Sequence, residues 1–275
     1  MAKKEKRKKQ KGSSKGTKFN ILNELISFDE EDLYLSIVGY GKHGRGKTTF
    51  AGTAPNPVFL DFNEHGTLSI RGKGLKGWRI EDWEKVEDIY WFLHSGEHDF
   101  ETVVWDTGTQ AADVCLEWVM GVKSQYDSSA GTLVTRQDWG NMSKHMKYWV
   151  TKFRNLPMHK IFLFQEKSLD EEDVEEGSSL VVPMVSPAVR ETVCAAVDII
   201  ARFELVEKKV KMGKGENQKV KRVPTYRMRI GPNATYHTKF RTPEGVALPE
   251  EYYFIESPTF DKVLDLYKKL SKNNK

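Results

Sequence analysis

The segment Gly41-Lys42-His43-Gly44-Arg45-Gly46-Lys47-Thr48 matches the pattern G-x-x-x-x-G-K-[ST], whose residue types are those needed to hold phosphate. Glycines at this spacing let successive backbone N–H groups turn inward onto anionic oxygens. Lys47 is placed to reach β- and γ-phosphates, and Thr48 to offer its hydroxyl oxygen to Mg²⁺. A helix beginning near Lys47 adds its positive end. The expected cradle is Gly41, Lys42, His43, Gly44, Arg45, Gly46, Lys47, Thr48 and Thr49, with ATP and Mg²⁺ as ligands. Chance matches occur in Gly/Lys-rich loops, but this one lies between an apolar strand and a helix, the context in which the motif has mechanical meaning.

Three further positions supply the remaining parts of phosphoryl chemistry. Asp106 follows Thr102-Val103-Val104-Trp105 and is expected to hold the metal directly or through water. The alternative is a solvated aspartate capping the next helix, since Asp is a favoured N-cap. Hydrolysis needs a group that orients or deprotonates water. Asp61 and Glu64 stand after the second strand. Glu64, with the longer reach, is expected to serve, with Asp61 bracing the site; otherwise both are ordinary loop acids. Gln165 ends the fourth strand. It is expected to bond a γ-phosphate and move when that phosphate leaves, against the plainer reading of a polar strand end.

These groups require a frame. Residues 33–38 (LYLSIV) read as a buried strand, followed by a short helix from about Lys47 to Thr53 that Pro55 and Pro57 stop. A second strand is expected over 58–60 with Asp61, a glycine-rich loop over 66–77 and a helix over 81–94. A third strand over 102–105 ends in Asp106. Helices over 109–120 and 138–155 follow, separated by a polar stretch at 124–131. The fourth strand, 160–164 (KIFLF), ends in Gln165, and an acidic loop occupies 170–176. A helix over Pro187–Ala196 precedes a strand pair, 198–206 with 225–230. The Lys- and Gly-rich link at 208–222 is expected to be flexible. Strands apolar throughout and alternating with helices imply an α/β fold with a parallel sheet covered on both faces. In such sheets ligands gather at the carboxyl ends of the strands. Gly41, Asp61, Asp106 and Gln165 all fall there.

The chain of 275 residues is 39% hydrophobic, enough for one substantial core. Residues 1–18 hold nine Lys/Arg and one Glu, hence +8; the whole chain is +4, which leaves −4 from Phe19 onward. The basic segment has almost no apolar residue to offset ordering entropy and reads as a disordered tail that either neutralises nucleic-acid phosphates or merely aids solubility. Two cysteines without metal-ligand spacing fit a reducing compartment. No apolar run approaches the ~20 residues of a membrane span. The expectation is a cytoplasmic protein without a membrane partner. The domain expectation is a tail at 1–20, an ATPase domain at 21–255, and a C-terminal helix and tail at 256–275.

The order of elements resembles RecA-like P-loop ATPases, specifically the short phage-encoded recombination ATPases of the Sak group. The stretches that carry the resemblance are GYGKHGRGKTTFAGTAPNPVFLDFNEHGT, ETVVWDTGT, RQDWGNMSKHMKYWVTKFRNLPMHKIFLFQEK and YHTKFRTP, together spanning roughly 33–245. The resemblance implies a RecA-like core with a C-terminal β-hairpin extension, acting on single-stranded DNA in phage recombination or replication inside the host cytoplasm. It implies a homo-oligomer with ATP at subunit boundaries, and a phage single-strand-binding protein as a further partner. By this resemblance Lys47 and Thr48 match the P-loop pair, Asp106 the Walker B acid and Gln165 the polar sensor. Glu64 matches the catalytic glutamate with one extra residue in between. Lys239 and Arg241 resemble the basic pair that reaches a neighbour's γ-phosphate; otherwise they belong to a solvated hairpin. One departure stands out: six acids lie between Asp170 and Glu176, where recombinases of this type approach DNA. Carboxylates there repel a phosphate backbone. DNA contacts then lie in the tail or in 208–222, or the protein is a nucleotide-binding switch or scaffold without a DNA substrate. A small-molecule kinase would need an arginine-rich lid, which the sequence does not offer.

Overall fold

Strands that are buried at every position need a sheet covered on both faces, and such strands form the middle of this fold. The computed structural model of the chain describes residues 33–62, 66–121, 133–170, 180–212, 219–242 and 246–272. In chain order its elements are β1 (Ser36–Tyr40), α1 (Lys47–Ala51), β2 (Pro57–Asp61), β3 (Lys76–Arg79), α2 (Lys85–Ser95), β4 (Thr102–Asp106), α3 (Gly108–Val119), α4 (Arg136–Arg154), β5 (His159–Phe164), β6 (Glu166–Ser168), β7 (Val181–Pro183), α5 (Pro187–Ala196), β8 (Ile199–Met212), β9 (Lys219–Arg229), β10 (Lys239–Phe240), β11 (Phe254–Glu256) and α6 (Phe260–Lys272).

The main sheet runs β11-β9-β8-β1-β5-β4-β2-β3, with β10 alongside β8. From β8 to β3 all pairings are parallel, whereas β9, β10 and β11 join antiparallel. Every residue of β1, β2, β4 and β5 is buried. Side chains alternate between the two faces along a strand, so Val38 and Tyr40 join one core cluster while Leu35 and Ile37 join the other. The first cluster is closed by helices α2, α3, α4 and α5, and the second by α1 and α6. This is an α/β sandwich with a mostly parallel central sheet flanked by helices. Among the described residues no helix is long and apolar enough to cross a membrane. Cys115 and Cys194 are free, and burial pushes both thiols up to about 12.

Local chemistry explains the element ends. Thr135 and Asp138 form a reciprocal capping box that starts α4. Gly96, in the left-handed region at φ 73°, ends α2. The stretch at 66–77, expected to be loop, holds a 3₁₀ turn, Gly66–Ile70, and the start of edge strand β3. β3 is mostly exposed, so it shows no apolar pattern, and a Cβ on Gly77 would lie 2.5 Å from the Phe59 carbonyl oxygen. The link at 208–222, expected to be flexible, is strand through Met212 and again from Lys219, in continuous antiparallel register. Its polar sequence hid the strands, and Lys208, Lys209, Lys221 and Arg222 at its two ends are exposed. Short β6 and β7, paired to each other, had no sequence signal either. The basic tail and residues 171–176 of the acidic loop lie outside the described residues.

Candidate nucleotide site

The parallel strands bring their carboxyl ends together, and the loop after β1 turns back over them. Gly41 must be glycine because a Cβ there would lie 2.5 Å from the Phe203 carbonyl oxygen on β8. Gly46 enters α1 at φ 87°, in the left-handed region that favours glycine. The turn thus aims Lys47 inward. Lys47 is only 6% exposed, and its Nζ donates to the Gly41 carbonyl at 2.8 Å, the Lys42 carbonyl at 3.0 Å and Gln165 Oε1 at 3.1 Å. The Gln165 backbone N–H in turn donates to Thr109 Oγ1 at 3.0 Å.

The second link joins Thr48 to Asp106. Thr48 Oγ1 donates to Asp106 Oδ2 at 2.8 Å, and Asp106 is 3% exposed. The helix after β4 is capped by Thr107, whose side chain accepts from the Gln110 N–H. Asp106 is therefore a buried strand-end acid facing the loop, and the capping alternative is taken by its neighbour. Asp61 is buried opposite Asp106 in register and accepts from Thr67 Oγ1 at 3.2 Å. It braces the 3₁₀ turn that begins at Gly66. Glu64 lies outside the described residues.

Gly66 completes this corner. A Cβ there would come 3.4 Å from Thr48 Oγ1 and 3.6 Å from Asp106 Oδ2. The absent side chain leaves open the side of the hydroxyl–carboxylate pair that faces the cavity. A hydroxyl oxygen, a buried carboxylate and room beside them suit Mg²⁺, which takes oxygen ligands and keeps several waters. Thr48 and Asp106 are thus the residues that fit this ion.

A cavity of about 540 Å³ opens above these groups, lined by His43, Gly44, Arg45, Gly46, Lys47, Thr48 and Thr49 of the loop, with Gly66, Asp106 and Gln165 behind them. That volume is within the usual range for a small-molecule ligand. Its far wall was not foreseen from the sequence: Tyr226 of β9, with Ser257, Pro258 and Thr259. The Tyr226 ring lies 3.3 Å from where a Gly46 Cβ would be. The Ser257 N–H donates to the Tyr226 carbonyl at 2.8 Å, and Ser257 itself turns at φ 44°. No motif marks these residues; only the antiparallel pairing of β9 on β8 carries Tyr226 back to the loop.

Beside Gln165, Glu166 is ion-paired with Arg202 of β8 at 3.0 Å. Arg202 also pairs with Glu204 at 2.8 Å, and Glu204 with Arg227 of β9. Lys239 and Arg241 are not brought to this site. Lys239 Nζ donates to the Cys194 and Ala195 carbonyls at the end of α5, at 3.0 and 3.2 Å. Arg241 pairs with Asp198 at 3.2 Å, beside Ser36 at the amino end of β1. Both therefore sit at the end of the sheet away from the phosphate loop of their own chain.

A family model described as an AAA domain matches residues 34–242. No curated protein matches the chain in sequence. Among solved structures, a KaiC-like protein from the hyperthermophilic archaeon Pyrococcus horikoshii OT3 is similar at 12% identity and TM-score 0.37, over 72% of this chain and 87% of that one. The RadB recombinase is similar at 13% identity and TM-score 0.38, over 81% of this chain and 86% of its own.

Proposed function

The chain belongs to the AAA domain family, and from that premise we propose that it binds Mg·ATP in the cavity above β1 and hydrolyses it while acting on single-stranded DNA in recombination or replication. The observation that carries the reading is the double closure of the phosphate loop: Thr48 onto Asp106 at 2.8 Å and Lys47 onto Gln165 at 3.1 Å. Asp106 is read as the metal acid and Gln165 as the sensor, each bonded to the loop. The resemblance to phage recombination ATPases of the Sak group supplies the DNA substrate and the phage setting.

In this reading the loop N–H groups from Gly41 to Thr49 surround the phosphates, with Lys47 on the β- and γ-phosphates. A bound Mg²⁺, held by Thr48 and Asp106, supplies charge neutralisation at the phosphate oxygens. Gln165 holds Lys47 until phosphate takes its place. The base lies against Tyr226, with Pro258 also in the cavity wall. Glu64 orients the attacking water. Copies of the chain assemble so that ATP lies at a subunit boundary. Arg241, whose side chain is 54% exposed, reaches the neighbouring copy's γ-phosphate in this reading.

The deciding experiment is ATP turnover with and without single-stranded DNA, for wild type and Lys47→Ala. Loss of turnover in the variant and stimulation of wild type by DNA are expected. Turnover that survives Lys47→Ala refutes the site, and turnover indifferent to DNA refutes the coupling. A second reading, a nucleotide-dependent switch or scaffold without a DNA substrate, is favoured by the six acids at 170–176, and predicts the second of those failures without the first.

A further inference from the structure

Beyond the sheet, β8 and β9 continue as a two-stranded arm. β8 leaves its partner β1 after Arg202, and β9 leaves β11 after Arg227. From Val206 and Thr225 outward the two strands pair only with each other among the described elements, in register to Met212 and Lys219. Residues 207–222 contain seven Lys/Arg and two Glu, hence +5; the rest of the chain from Phe19 onward therefore carries −9. A basic arm stands on an acidic body.

The placement of those charges is unfavourable without an anion. Lys209 lies directly opposite Arg222 across the strand pair, and like charges so placed destabilise a ribbon. Lys208, Lys209, Lys221 and Arg222 are all exposed. Only Lys208, with Glu256, and Arg222, with Glu207 at 3.4 Å, have carboxylate partners among the described residues. A merely solvated surface would mix the two signs across the ribbon; this one concentrates one sign on both strands. At the root of the arm stands Tyr226, which also walls the nucleotide cavity.

We infer that the β8–β9 arm binds the phosphodiester backbone of DNA, through Lys209 and Arg222 on one face of the ribbon and Lys221 on the other. The inference rests on the proposed DNA-coupled reading and deepens it by naming the surface. It also accounts for how DNA is held despite the acids at 170–176: the strand is engaged on the arm and not on the loop after β6. The contacts are to phosphate and therefore independent of base sequence.

The test is fluorescence anisotropy of the full chain with a labelled single-stranded oligonucleotide and, separately, its duplex, across a salt series. The triple variant K209Q/K221Q/R222Q removes three cations, so the slope of log K against log salt should fall by about 2 on single strands, and affinity at 0.1 M salt should drop on the order of 100-fold. Removing its carboxylate partner with Glu207→Gln frees Arg222 and should tighten binding severalfold. A loss of this size in either arm of the experiment supports the inference, and the arm identifies the strand form bound. Calorimetric Mg·ATP binding by the triple variant, if retained, excludes misfolding as the cause. Unchanged affinity and slope in the triple variant would overturn the inference while leaving the DNA-coupled function standing on another surface. Absence of binding by wild type to either oligonucleotide at 50 mM salt would overturn both.

Discussion

Replacing Gly66 by alanine separates the metal site from the stability of the fold, because the two effects have opposite signs. The backbone at Gly66 is outside the left-handed region, so alanine adopts it without strain. The added Cβ meets Thr48 Oγ1 at 3.4 Å and Asp106 Oδ2 at 3.6 Å, both ordinary contacts. The unfolded chain loses freedom, which should stabilise by about 0.4–1 kcal/mol and raise Tm by about 1–4 °C for a domain of this size. With nucleotide the same methyl occupies the open side of the hydroxyl–carboxylate pair, where a hydrated cation needs room. Disturbing the shell around a metal typically costs about 10–100-fold in affinity or activity. Mg²⁺ titration of ATP turnover at fixed ATP should therefore show its midpoint displaced upward by that factor, alongside a higher melting temperature. Asp106→Asn, which removes the carboxylate itself, should displace the same midpoint. If Gly66→Ala melts higher yet titrates like wild type, the cation does not lie between Gly66, Thr48 and Asp106, and the assignment of those residues fails.

Three other outcomes follow from the same geometry. Lys47→Ala, which removes the buried ammonium held by Gly41, Lys42 and Gln165, should lower turnover by at least about 10²–10³-fold, the usual effect of deleting one charge-stabilising donor; a smaller loss in a turnover assay would contradict its role. Tyr226→Ala should weaken nucleotide binding by roughly 5- to 150-fold, the worth of one base–aromatic stack, while Tyr226→Phe should titrate like wild type; equal affinities in all three would place the base elsewhere. His159 accepts the Leu35 N–H through Nδ1 at 2.9 Å, and burial, with Lys160 and Lys268 nearby, lowers its pKa to about 4. The unfolded state takes up this proton near pH 6.5 and the folded state only near 4, so stability should fall as pH drops across that window, by up to about 3 kcal/mol. Urea unfolding of wild type against His159→Gln checks it, and parallel losses in the two would refute the assignment.

What could be read from the sequence is what a short stretch of chain encodes by itself. The phosphate loop is legible because eight adjacent residues carry both the backbone freedom and the charge. Asp106 and Gln165 are legible because each ends an apolar run, and parallel strands must bring such ends together. Tyr226, Ser257, Pro258 and Thr259 were not legible: they reach the cavity only through the pairing of β9 on β8 and the turn after β11, roughly 180 to 210 residues along the chain from the loop. β3, β6 and β7 escaped because a short strand that buries little apolar surface has no period to detect. The arm at 207–222 escaped for the opposite reason, since lysines and glycines suggest a solvated link wherever main-chain pairing is not visible. The resemblance correctly indicated a mostly parallel α/β core. For Lys239 and Arg241 the resemblance implies contacts across a subunit boundary; within the chain Lys239 secures the end of α5 and Arg241 pairs with Asp198.

The position of Gln165 bears on how nucleotide occupancy can be sensed. An ammonium has three protons, and that of Lys47 already donates to two loop carbonyls and to Gln165 Oε1. A phosphate oxygen is thus gained by exchange and not by simple addition. Among these acceptors, the Gly41 and Lys42 carbonyls belong to the loop backbone, which must stay in place to surround the phosphates. Gln165 is the one that yields by rotating a side chain. Its own backbone is tied to Thr109, and the next residue, Glu166, is ion-paired through Arg202 and Glu204 to Arg227 at the root of the β8–β9 arm. Gln165 is therefore adjacent to a chain of partly buried ion pairs leading into the basic arm, so that the proposed nucleotide and DNA sites would be linked through neighbouring strands of one sheet.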